Sequence, residues 1–129
     1  EMNQIKKPHN VLTTGRLDTA DVEKQLDNAD VFLFPSLTEG FSNALLEAMA
    51  RGLPAIATDV GAASDMIEDY GGVIVSSHDI NAMQTALDMM GKPEVRKEMS
   101  DWNIKKVRRC YEYNQVLQGL FCIYGGGDR

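Results

Sequence analysis

Short apolar runs separated by helix-length segments constrain this chain more than any other feature. The runs are Val11–Thr14, Val31–Phe34, Ala55–Thr58 and Val73–Val75. Between and after them, apolar residues recur at helical spacing over Asp21–Asn28, Ser42–Arg51, Ala62–Glu68, Ile80–Met90 and Pro93–Arg109. A strand followed by a helix and then another strand needs a long crossover, which makes neighbouring strands parallel. Parallel strands bury both faces, so helices must cover both sides of the sheet. Val31–Phe34 is apolar without interruption and stops at Pro35, as expected of a strand buried on both faces. Ser42 suits an N-cap, and Gly52 followed by Pro54 is a helix stop. A last amphipathic segment is expected near Gln115–Ile123, and Gly125–Gly127 reads as a frayed terminus.

The 129 residues suffice for one domain with a real core, residues 1–129, and not for two. Four strands are few for a free-standing doubly wound sheet. The polar opening Glu1–Asn10 carries no Met at position 1. The domain is therefore expected to be N-terminally incomplete by one or two strand–helix units. No apolar run approaches the ~20 residues of a membrane span and no secretory signal opens the chain, which favours the cytoplasm. Cys110 and Cys122 have no His or Cys neighbour at a ligand spacing and read as idle thiols. His9 and His78 are isolated in polar surroundings and read as surface residues.

The net charge of −6 is unevenly placed. Lys92–Glu112 holds seven basic against four acidic residues, and the remainder six basic against fifteen acidic. Bulk acidity of this kind argues against nucleic acid as a partner. The tract Lys105-Lys106-Val107-Arg108-Arg109 reads first as a solvated helix face. A minor reading is peripheral contact with anionic lipid at the inner membrane face.

In open parallel sheets, ligands bind beyond the carboxyl ends of the strands. Two loops are expected there, Gly15–Asp18 and Pro35–Phe41. The second runs straight into a helix whose first N–H groups and positive dipole end face the loop. Gly40 has no Cβ, so a ligand can approach its backbone closely. Glu39 stands before the helix. Glu47 stands more than one turn inside it, among Ala44, Leu45, Leu46, Ala48, Met49 and Ala50. A helix apolar nearly all round is expected to be buried, and a buried carboxylate requires hydrogen-bond donors. A vicinal diol such as a ribose would supply two, and a phosphate at the helix mouth would complete a nucleotide diphosphate. The alternative is that Glu39 stabilises the helix dipole and Glu47 pairs with a basic residue of the domain.

The run Ala29–Ser36, then Glu39-Gly40-Phe41-Ser42-Asn43-Ala44-Leu45-Leu46-Glu47-Ala48-Met49-Ala50, then Gly52-Leu53-Pro54 resembles glycosyltransferase family 4. That family carries two glutamates separated by seven residues, with Pro-Ser before them and a Gly-x-Pro turn after. The resemblance covers about Val11 to Ala86. It implies an α/β, Rossmann-like parallel sheet, part of the C-terminal donor-binding domain of a retaining, two-domain GT-B glycosyltransferase. It also implies a hexosyltransferase-like enzyme of polysaccharide biosynthesis. The donor would be a nucleotide-diphosphate sugar and the acceptor a glycan, lipid or small molecule held by an absent domain. The fragment alone would be inactive.

By the same resemblance, Glu39 is the catalytic position and meets the sugar hydroxyls with the backbone of Gly40, Phe41 and Ser42. Asn43 and the helix start lie beside the diphosphate, and Glu47 takes the ribose hydroxyls. Gly15, Arg16 and Leu17 match the loop around the nucleobase. The family's basic pair that grips the diphosphate lies upstream of this chain. No Asp-x-Asp motif is present, and neither a metal nor a cofactor is expected. Where the family has Gly-Gly and a later Glu, this chain has Gly61-Ala62-Ala63-Ser64-Asp65, so Asp65 is given no role. Two other readings compete: a sugar-nucleotide epimerase of the same architecture, and a non-catalytic nucleotide-binding module. A phospho-receiver domain fails, because the second apolar run ends in Pro35 rather than Asp.

Overall fold

The computed structural model describes residues 8–112. Its elements follow in the order α1 (Thr19–Asp27), β1 (Phe32–Phe34), α2 (Asn43–Ala50), β2 (Ala55–Thr58), α3 (Ala63–Ile67), β3 (Gly72–Val75), α4 (Ile80–Met89) and α5 (Pro93–Cys110). The three strands form one parallel sheet in the order β1-β2-β3. Phe34 pairs with Ala57, and Thr58 pairs with Val75, so the carboxyl ends of all three strands finish at one edge.

Side-chain alternation along the strands divides the core into two layers. Ala55 and Ala57 face one side, where Leu45 and Met49 of α2 pack with Ala63, Met66 and Ile67 of α3. Phe32, Phe34, Ile74 and Trp102 close that cluster. Ile56 and Val75 face the other side, against Ala86 and Met90 at α4. Helices therefore cover both faces, as the strand–helix alternation requires. All four residues of the central strand β2 are buried.

The chain into and out of α2 follows its sequence signals. Ser42 Oγ accepts the Leu45 amide at 3.2 Å and sets where the helix begins. At the other end, Gly52 N donates to Met49 O at 2.9 Å and Leu53 N to Ala48 O at 3.0 Å. This paired closure needs the left-handed backbone that Gly52 adopts, with φ +76°. A Cβ there would also stand 2.5 Å from Ser100 Oγ of α5, so the turn lets α5 cross close to α2. Leu45 and Met49 are fully buried, and each contributes roughly 1.5–3 kcal/mol of apolar transfer to this packing.

Four expectations are corrected. Val11–Thr14 is not a strand: it pairs with no strand among the described residues, and Val11 and Leu12 are 52% and 84% exposed. A strand is held by its ladder, and no described strand lies beyond β1 to supply one. For the same reason β1 is an edge strand. Leu33, in register with Ile56, is 42% exposed because α4 covers β2 and β3. The first helix begins at Thr19 rather than Asp21, since Asp18 Oδ1 accepts the Asp21 amide at 2.8 Å and caps it. Finally, the basic tract on α5 is not uniformly solvated. Lys106 is buried and ion-paired with Glu68, its ammonium 5.6 Å over the Trp102 ring.

The segment near Gln115–Ile123 lies outside the described residues. No helix among the described residues is long and apolar enough to cross a membrane. Cys110, His9 and His78 are exposed.

Candidate functional site

The loop from Pro35 to Ser42 leaves β1 at the carboxyl edge of the sheet and enters α2. Three contacts set its path, and all engage its main chain. Thr58, buried at the end of β2, donates its hydroxyl to Ser36 O, with Phe34 O at 3.5 Å. Ala62 N, in the turn after β2, donates to Gly40 O at 3.0 Å. Gly61 in that turn has φ +55°, and a Cβ on it would lie 2.2 Å from Gly40 O and 2.3 Å from Glu39 O. The Glu39–Gly40 backbone therefore rests directly on a residue that has no side chain. Ser36 Oγ stands 3.2 Å from both Thr38 O and Glu39 Oε1, and its single proton serves these two acceptors.

Glu39, Gly40 and Phe41 are exposed, and Ser42 is buried as the cap. Leu45 N is taken by Ser42 Oγ and Leu46 N by Ser42 O, at 3.2 and 3.1 Å. The amides of Asn43 and Ala44 have no acceptor among the described residues. Two open N–H groups at the positive end of a helix dipole are chemically suited to an anion.

Glu47 is where the structure departs from the sequence argument. It is exposed, not buried. The helix is amphipathic in accessibility although not in polarity. Leu45, Ala48 and Met49 are buried, while Asn43, Ala44, Glu47 and Ala50 line the open side. Alanine tolerates either side, so the apolar run concealed a solvent-facing stripe. Burial consequently makes no demand on the Glu47 carboxylate. The competing structural role is also unmet: neither Glu47 nor Glu39 has a cation within ion-pair distance among the described residues. The basic residue at the end of α2, Arg51, pairs instead with Asp27 and Glu23 of α1.

Asn43 and Glu47 are four residues apart and so share one face, placing the carboxylate one turn below the open amides. Gly15 and Arg16 are exposed and Leu17 is half-buried, and no hydrogen bond or ion pair joins them to the Glu39–Glu47 segment among the described residues. Asp65, given no role, is exposed on α3.

Thr58, Gly61 and Ala62 were not singled out by sequence as parts of the site. Gly61 left a trace, as the half of the Gly-Gly signal that this chain keeps. Thr58 left none beyond ending a strand. No group of three or more His, Cys, Asp or Glu side chains converges as a metal site among the described residues. A cavity of about 350 Å³ opens at the opposite end of the sheet, between α1, the end of α2 and the start of α5. Its cations are engaged: Arg51 with Asp27, Lys97 with Asp101, and Arg96 with Met90 O.

The family model described as Glycosyl transferases group 1 matches residues 1–92. The chain is 43% identical over 99 residues to the lipopolysaccharide core biosynthesis mannosyltransferase LpsB of Rhizobium meliloti (strain 1021), covering 74% of this chain and 28% of that one. It is 32% identical over 81 residues to the UDP-Gal:alpha-D-GlcNAc-diphosphoundecaprenol alpha-1,3-galactosyltransferase of Escherichia coli, covering 62% of this chain and 21% of that one. Among solved structures, sucrose-phosphate synthase from Thermosynechococcus elongatus superposes with a TM-score of 0.76 at 24% identity, over 87% of this chain and 29% of that one. The chain thus spans between a fifth and a third of the length of these proteins.

Proposed function

The chain belongs to the group 1 glycosyl transferases, and from that premise we propose that Glu39–Glu47 is the donor site of a retaining transferase. The donor is a nucleotide-diphosphate sugar. One observation carries the reading: two exposed carboxylates without a cation partner among the described residues flank a helix mouth with two open amides, at the carboxyl edge of a parallel sheet. The mouth suits the diphosphate, Glu39 and the Gly40–Ser42 backbone suit the sugar hydroxyls, and Glu47 suits the ribose diol. The nucleobase falls to Gly15, Arg16 and Leu17. An accessible Glu47 serves this role without rearrangement.

In the transfer, the bond between the sugar's anomeric carbon and the diphosphate oxygen breaks. A bond to the acceptor oxygen forms on the same face, and the acceptor proton passes to the departing phosphate. Catalysis is then positioning and charge stabilisation. Glu39 orients the sugar, and the α2 amides stabilise the charge that grows on the leaving group. The acceptor, a glycan or lipid, is bound by a domain outside the 129 residues. This chain supplies part of a donor-binding domain whose remaining strand–helix units and diphosphate-gripping cations also lie outside it. The name of the Escherichia coli relative, which specifies UDP-Gal and a diphosphoundecaprenol-linked acceptor, supports this substrate class.

The test is to incubate the protein that carries this chain with UDP-, GDP- and ADP-sugars and acceptor, following released nucleotide. Glu39→Ala is expected to lower kcat/KM about 100-fold or more, the scale of losing a group that acts in the transition state. Glu47→Ala is expected to raise donor KM about tenfold or more, the scale of a charged hydrogen bond. Both variants should keep the parent circular dichroism spectrum. Near-parental rates in both would overturn the site. Conversion of the sugar without acceptor would mark an epimerase, and no turnover of any donor would mark a binding module.

A further inference from the structure

Phe41 is 49% exposed, yet its ring is not free: Tyr111 meets it edge-on, with centroids 5.7 Å apart and planes at 61°. These residues are distant in sequence, and α5 brings them together. Asn103 Nδ2 on α5 donates to Leu53 O at 2.9 Å and Gly71 O at 2.8 Å, tying the helix to the starts of β2 and β3. One turn later, Lys106 pairs with Glu68 at the end of α3. Tyr111 caps the end of α5, its amide donating to Val107 O at 2.9 Å, and packs on the cluster shared by α2, α3 and β2. Burial raises its phenol pKa against the opposing pull of Lys106, as expected of a ring half-buried against the core.

Phe41 itself lies between two main-chain anchors, Gly40 O on Ala62 N and Ser42 at the helix cap. Neither anchor determines where the phenyl ring points. We propose that Tyr111 is a positioning residue for the donor loop: its ring holds Phe41, and with it the Glu39–Ser42 backbone, in the conformation that receives the sugar. The inference rests on the donor-site reading above. An aromatic edge contact is worth about two- to tenfold in an equilibrium constant, which is the effect expected on donor binding.

The experiment uses Tyr111→Ala, Tyr111→Phe, Phe41→Ala and the double alanine variant in the protein that carries this chain. Donor KM and kcat are measured with whichever of UDP-, GDP- or ADP-sugar the parent turns over. Tyr111→Ala should raise donor KM about two- to tenfold with kcat near the parental value, and Tyr111→Phe should restore it. In the Phe41→Ala background, Tyr111→Ala should add nothing. An unchanged KM, or effects that multiply in the double variant, would overturn the proposal. Chymotrypsin cleavage after Phe41, read by mass spectrometry, tests the same contact without activity. Faster cutting in Tyr111→Ala but not Tyr111→Phe supports it, and equal rates overturn it. If the parent turns over no nucleotide sugar, the donor-site reading fails alone and the cleavage rates still decide whether Tyr111 holds the loop.

Discussion

Replacing Gly61 with alanine puts a methyl group where the structure has main-chain oxygen. The new Cβ would stand 2.2 Å from Gly40 O, 2.3 Å from Glu39 O and 2.8 Å from the Glu39 carbonyl carbon, all below the 3.0 Å that real Cβ atoms keep. These are backbone atoms, so no rotamer change relieves the contact, and the loop or the turn must move. Three terms add. Holding alanine at φ +55° costs about 1–2 kcal/mol. Forced displacement of a packed neighbour costs about 1–3 kcal/mol. Weakening the Ala62 N–Gly40 O bond forfeits about 0.5–1.5 kcal/mol. The sum, about 2.5–6.5 kcal/mol, is a large part of an ordinary domain's stability, and lowers Tm by roughly 10 °C or more. Urea unfolding of the chain, followed through its single tryptophan, Trp102, measures this directly. Gly15→Ala is the comparison: its φ is +69° but a Cβ there meets nothing within 4 Å, so it should lose only the ~1–2 kcal/mol of backbone strain. If the two variants unfold at the same urea concentration, the contact between Gly61 and the Glu39–Gly40 backbone contributes nothing and the reasoning fails.

Two further substitutions probe how α5 is fastened. Asn103→Ala strips the donors from Leu53 O and Gly71 O, both taken by one buried amide, and should cost about 2–4 kcal/mol; an unfolding midpoint equal to the parent's would refute it. The hydrogen bond that Lys106 Nζ donates to the Glu68 carboxylate holds the ammonium pKa above its ordinary 10.5, against the opposite pull of burial. The folded chain therefore binds this proton more tightly than the unfolded one, so the stabilisation is complete below about pH 10.5 and is lost as pH rises through the folded value. Lys106→Met keeps the stem packed over Trp102 and leaves Glu68, whose side chain is 42% exposed, in water, so it should cost about 1 kcal/mol or less at neutral pH. It should also flatten the alkaline fall of stability above about pH 10.5, which denaturation at roughly pH 9 to 12 would reveal; a fall as steep as the parent's would count against the pair.

What could be read from the sequence was what neighbours along the chain decide. Ser42 capping α2, the Gly52–Pro54 stop and the buried run Ala55–Thr58 each depend on a few adjacent residues, and the structure has them where local chemistry predicts. Val11–Thr14 has a strand's composition, but pairing is supplied by another segment, and none pairs with it among the described residues. Glu47 was misjudged because alanine is silent about which way it faces, so an all-apolar run hid an open stripe. Lys106 was misjudged because its partner, Glu68, belongs to a different helix. The two glutamates of the proposed site were singled out through their flanks, whereas Thr58 and Gly61, which meet the loop's main chain, and Tyr111, which meets Phe41, act through contacts that only the folded chain assembles.

The loop that carries Glu39 is gripped by its peptide groups: Ser36 O, Gly40 O and Ser42 O all accept from fixed donors. Side chains at Leu37, 63% exposed, and at Thr38 take no part in that grip. Evolution can therefore rewrite those two positions without moving Glu39. A scaffold that separates what holds the loop from what the loop displays lets the displayed positions drift at little risk to folding, so the surface of this edge can change while the architecture stays.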